Sequence, residues 1–177
     1  MGYYISTPQT SFSICNDNLS RFFELVDNLM SDENVEENGH GGTMDGSGNK
    51  IRSWYSWVNT DVVRRAVLER DIRAVFGAWG YDLELTDNVE GVSHFYLDIR
   101  GGEAKIGDEE TFFAAIAPVV RDGSFIDAKG EDDAEWRWMW ENGKFYSQEI
   151  LSKKIIFDEP REIVFQNVKN KENSTNA

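Results

Sequence analysis

The densest chemistry in this chain lies in "GEDDAEWRWMW", where Glu131, Asp132, Asp133 and Glu135 lead into Trp136, Trp138 and Trp140 at alternate positions. Carboxylates grouped this way can hold a divalent ion, exchange protons with a substrate, or meet the Lys and Arg side chains of a partner. A tight turn selects Asp and Gly as well, and no second acidic cluster is joined to this one at a metal-ligand spacing. Glu103 and the run Asp108, Glu109, Glu110 add further negative charge. The two histidines, His40 and His94, lack neighbours at offsets that spell a triad or a zinc site. "GHGGTMDGSGNK" is glycine-rich, yet it lacks the Gly-Lys-Ser/Thr ending of a phosphate loop and no apolar helix begins there. Arg64, Arg65, Arg70 and Arg73 are the one basic concentration, interleaved with Asp61, Glu69 and Asp71 as on a solvated helix face. These residues point to binding: no catalytic residue, cofactor or metal is expected.

Charge narrows the partners. Of 177 residues, 32 are acidic and 18 basic, a formal net charge of -14. Such a field repels phosphate, which disfavours nucleic acid and anionic membrane and suits a basic protein surface. Cys15 is alone, so an internal disulfide framework is excluded and a reducing, cytoplasmic address is expected. The opening "MGYYISTPQT" has neither the basic region nor the apolar run of a secretory signal, and no stretch of 18 apolar residues offers a membrane span. Gly2 and Ser6 match the loose N-myristoylation pattern, which is frequent by chance.

The elements that must position these side chains follow from periodicity. Tyr3 to Ile5 opens a strand. Leu19, Phe22, Phe23, Val26, Leu29 and Met30 recur at helical spacing and predict an amphipathic helix over 18–30. Acid, Asn and Gly then dominate 31–50, read as a mobile loop. "IRSWYSWV" predicts a strand over 51–58, and a phase change in the following apolar stripe predicts two short helices or a kink. Alternation on both sides of "DNVEG" predicts a hairpin over 81–99, with Tyr81, Leu83, Leu85, Phe95, Leu97 and Ile99 on one face. Asp108 is placed to cap a helix over 109–117 that buries Phe112, Phe113 and Ile116. Strands "GSFIDAK", "AEWRWMW" and "KFYSQE" form a three-stranded meander, the last turn being Asn142-Gly143. Edge strands are expected at "KKIIF" and "EIVFQ", and a disordered tail over 169–177.

Pairing across Asn142-Gly143 sets Trp140 against Phe145 and Trp138 against Ser147. A four-residue turn at 130–133 sets Phe125 opposite Trp138. Trp136, Trp138, Trp140, Phe125 and Phe145 then share the face turned to the helices, leaving Glu135, Arg137, Met139 and Tyr146 outside.

Ser56 to Val58, Gly107 to Glu110, Ala117-Pro118, Gly123-Ser124, Gly130 to Asp132, Trp136 to Trp138 and the Asn-Gly turn occur in the order seen in a family of small uncharacterised proteins encoded by phages, prophages and plasmids. The chain resembles that family over about half its length, departing at Asp133, where the family often has Gly, and in the 31–50 segment and the C-terminal extension. The resemblance implies a mobile-element origin and no chemistry.

The reading is a single α+β domain over 1–168, a twisted antiparallel or mixed sheet with about three helices mainly on one face. Its expected role is a non-enzymatic inhibitor in the bacterial cytoplasm that occludes a basic, nucleic-acid-binding surface of a host defence protein. Glu131, Asp132, Asp133, Glu135, Glu103, Asp108, Glu109 and Glu110 would supply the charge, and Tyr55 and Met139 the apolar grip. The alternative is sequestration of a small signalling nucleotide in a pocket of aromatics and arginine.

Overall fold

Side chains that alternate in and out along extended chain, against helical stripes with one apolar side, give a sheet with one covered face. In the computed structural model, which describes residues 3–149, the elements run β1 (Tyr3–Cys15), α1 (Leu19–Leu29), α2 (Asp32–Asn38), β2 (Gly41–Met44), β3 (Lys50–Trp54), α3 (Thr60–Glu69), α4 (Ile72–Ala78), β4 (Tyr81–Val89), β5 (Val92–Ile99), β6 (Ala104–Ile106), α5 (Glu109–Ile116), β7 (Phe125–Gly130), β8 (Glu135–Glu141) and β9 (Lys144–Glu149). Gly2, the edge strands read at "KKIIF" and "EIVFQ", and the tail lie outside the described residues.

The main sheet has the order β4-β5-β1-β7-β8-β9, with β6 against the start of β1 and every pairing antiparallel. β2 and β3 form a separate two-stranded ribbon. This is the expected α+β domain, with five α-helices where about three were read. β1 is the central strand and far longer than the Tyr3 to Ile5 opening: it runs on past Pro8, where its register with β7 shifts between Ser6 and Gln9. Proline lacks the ladder N–H, so an irregularity there is where it can be tolerated.

Helical stripes cover one face. Phe22, Phe23, Val26 and Leu29 of α1, Val75 and Phe76 of α4, and Phe112, Phe113 and Ile116 of α5 are all buried. Phe76 joins helix to sheet, edge-on to Phe12 of β1 at 5.4 Å and stacked on Phe22 at 6.0 Å. The phase change after Ala66 is a break: Arg70 turns left-handed at φ 54 and Asp71 starts α4, its side chain accepting from the Ala74 amide at 3.0 Å.

The segment 31–50 is no loop. Ser31 caps α2, Asp32 and Glu33 occupy its first turn, and Val35 is buried. β2 and β3 then form a hairpin closed by Asp45, whose Oδ1 accepts from the Ser47 and Asn49 amides at 2.8 Å each. β3 stops at Trp54, short of the 51–58 strand, because Trp57 is left-handed at φ 64.

Candidate functional site

The meander settles the tryptophans first. Glu141 with Lys144, Trp140 with Phe145 and Trp138 with Ser147 are cross-strand partners of β8 and β9, as the Asn142-Gly143 turn predicts. Trp138 and Trp140 are fully buried and Trp136 half-buried, all on the covered face. A buried indole N–H usually finds a hydrogen-bond acceptor, and of the buried tryptophans Trp138 and Trp140 have one while Trp79 Nε1 has none among the described residues. Trp138 Nε1 donates to Glu110 Oε1 at 2.8 Å and Trp140 Nε1 to the Phe113 carbonyl at 3.1 Å, so α5 is fixed to β8 by both.

One register is corrected. Phe125 pairs with Met139 and Ile126 with Trp138. The turn has three residues, Glu131, Asp132 and Asp133, closed by the Gly130 amide on the Ala134 carbonyl at 2.8 Å. A loop one residue shorter sends Phe125 to the opposite face. There the Arg137 guanidinium lies 4.1 Å from its ring centroid, while forking onto Asp127 at 2.6 and 2.9 Å.

Three of the expected partner-binding residues are not on the surface. Tyr55 is fully buried: its hydroxyl donates to the Leu29 and Asn34 carbonyls at 3.1 and 3.2 Å, tying α1 to α2, and burial beside Asp108 pushes it up to about 12. Asp108 is buried and stands at the cap position of α5, yet its side chain is spent elsewhere. It accepts from the Ser56 amide at 2.6 Å, the His40 amide at 3.3 Å, and His40 Nδ1. Glu109 folds back onto the Gly107 amide at 2.5 Å. Burial raises its carboxyl to about 7, and the Asp108 and Glu110 charges add to the rise while the Gly107 hydrogen bond opposes it. Charge can be removed from water only when it is paired or hydrogen-bonded, and these two carboxylates were read as exposed because spacing says nothing of the loops that cover them.

Five of the remaining residues, Glu131, Asp132, Asp133, Glu135 and Met139, share one hairpin. Glu131, Asp132 and Asp133 are exposed at its tip, Glu135 is half-buried at its shoulder, and Met139 is half-buried further along the uncovered face. Part of this charge is committed internally. Tyr3 donates its hydroxyl to Asp132, which pulls that carboxyl below the usual range and pushes Tyr3 up to about 12. Lys129 pairs with Asp133 at 2.6 Å. Glu103 is exposed beside β6, two strand spacings or about 10 Å across β1 from the tip. Glu110 is exposed on the helix side.

Sequence reasoning missed two features. On the uncovered face Phe125, Met139 and Tyr146 stand in one row across three strands, the last 42% exposed. Correct turn length would have found it. The second is a cavity of about 830 Å³ walled by α2, β3, the 55–59 turn and the start of α3, with Trp54 and Trp57 on its lining. Among the described residues no set of three or more His, Cys, Asp and Glu converges as a metal site, and no helix is long and apolar enough to cross a membrane. No family model, curated protein or solved structure matches the chain.

Proposed function

We propose that this chain is a non-enzymatic, phage or mobile-element binding protein that disables a host defence protein by covering a basic surface. One observation carries the reading: a single hairpin joins an apolar row, Phe125, Met139 and Tyr146, to an acidic tip on the sheet face that no described helix covers. From Phe125 to Met139 there are five carboxylates against two cations. Residues of this kind divide the work: rim charges speed encounter with Lys and Arg, and desolvated apolar groups slow release. Met139 keeps its expected role, and Phe125 and Tyr146 stand in for the buried Tyr55. A basic surface that grips nucleic acid would lose that grip once the tip lay on it.

The test is capture from bacterial lysate with wild type beside Glu131→Lys/Asp132→Lys/Glu135→Lys and Met139→Glu. A partner held by wild type at low salt should be released as salt rises and be lost from both variants. Equal capture of the same partner by the charge-reversed protein removes the acidic tip from the interface.

A further inference from the structure

Trp54 and Trp57 are 37% and 59% exposed, an unusual amount of indole to leave in water, and both line the 830 Å³ cavity. Gly41, the cross-strand partner of Trp54, leaves room for its indole, since a Cβ there would collide with Nε1, while a Cβ on Gly107 would meet Ser56 Cβ at 2.6 Å and Trp57 Cδ1 at 3.1 Å. Trp57 is further held by Lys105, whose ammonium is 4.6 Å from its ring centroid. Its φ of 64 is unfavourable for a bulky side chain, and strain of this kind gathers at ligand clamps.

The polar wall is equally organised. Arg64 is committed to Asp32 at 2.6 Å and to the Met30 carbonyl at 2.9 Å. Glu36 Oε2 accepts from the Ser53 amide at 3.2 Å, and the Glu36 backbone carbonyl accepts from the Ser53 hydroxyl at 3.1 Å. These bonds brace α2 against β3 and α3. Of the charged side chains on the lining, Arg52, a cation, and Asp61, an anion, have neither an ion pair nor a side-chain hydrogen bond among the described residues.

We propose that this cavity binds a nucleoside monophosphate, with the base on indole, the phosphate on Arg52, and a base amino group or ribose hydroxyl on Asp61. Its volume lies within the range of about 300–1,000 Å³ that such ligands occupy. Aromatic faces stack any base, while one uncommitted guanidinium offers a single bidentate anion site. Additional phosphates would face Asp61, Glu36 and the net charge of -14, so a triphosphate is the poorer ligand. The site shares no residue with the acidic tip or the Phe125 row and does not depend on the partner-binding reading.

Calorimetric titration with AMP, GMP, CMP and UMP, each beside its own nucleoside and triphosphate and beside inorganic phosphate, tests it. At least one monophosphate should bind saturably, and more tightly than its nucleoside, triphosphate or phosphate alone. Trp57→Gly relieves the left-handed backbone, so it should keep the melting temperature while weakening binding at least about tenfold. Arg52→Gln, at an exposed position, should bring the monophosphate down to its nucleoside. Met139→Glu should bind as wild type does. No saturable heat up to about 1 mM, a monophosphate no tighter than its nucleoside, undiminished binding in Trp57→Gly and Arg52→Gln, or loss in Met139→Glu would each overturn the assignment.

Discussion

Glu109 is a carboxyl that the fold keeps out of water, 4% exposed and raised by burial to about 7 from an ordinary 4.5. A raised folded value means that the native state holds the proton where the unfolded chain has lost it. The stability linked to this group is therefore full below pH 4.5, falls as pH rises, and is lost above 7. The shift corresponds to about 3 kcal/mol between those limits. Glu109→Gln keeps an oxygen for the Gly107 amide and removes the charge. Urea unfolding across that window should show wild type losing stability with rising pH by about that amount relative to the variant, and the variant as the more stable protein at pH 8. Asp108 and His40 are present in both proteins, so the difference between the two profiles reports Glu109. Parallel profiles would mean that Glu109 is ionised in the native state at little cost.

At the scale of elements, the hairpin tip shows how a turn chooses its residues. Asp133 is left-handed at φ 64, where Gly is unstrained, and its exposed pair with Lys129 contributes little. Asp133→Gly should therefore raise stability by about 0.5–1 kcal/mol in urea unfolding, whereas Asp133→Val should lower it. A loss in the glycine variant would show that the carboxylate, and not the backbone, defines the turn. The meander and the Tyr81 to Ile99 hairpin were legible because period-two alternation fixes faces, and Asn142-Gly143 fixes the register of the last two strands, down to Trp140 against Phe145 and Trp138 against Ser147. Phe125 was misplaced because length selects a turn more strongly than composition does: a tip of three residues and one of four share the same Gly, Glu and Asp. The 31–50 segment was misread for a different reason. Its low hydrophobicity hid real local signals, a Ser31 cap with acids behind it and an Asp45 turn, and only Val35 among its side chains reaches the core from α2. Tyr55 and Asp108 could not have been placed from sequence, since their burial depends on α2, β3 and α5 meeting after each has formed.

For the whole molecule, a net charge of -14 pits two electrostatic effects against each other. Self-repulsion of the acidic surface destabilises the compact state and weakens as salt is added. The ion pairs Arg21–Glu24, Arg64–Asp32, Arg100–Asp82 and Lys129–Asp133 are weakened by the same salt, but all are exposed to solvent and such pairs contribute little singly. Repulsion should win. Raising NaCl from about 10 to 150 mM shortens the screening length from about 30 to 8 Å, and the melting temperature should climb across that range and then level off. Under the proposed function the response of binding is opposite, because salt screens the attraction between the acidic tip and a basic surface: capture should weaken over the same salt interval in which the free protein gains stability. A melting temperature that fell with salt would assign the native state's electrostatics to its ion pairs. The negative face would then be a set of satisfied contacts, with little charge left over for a basic partner.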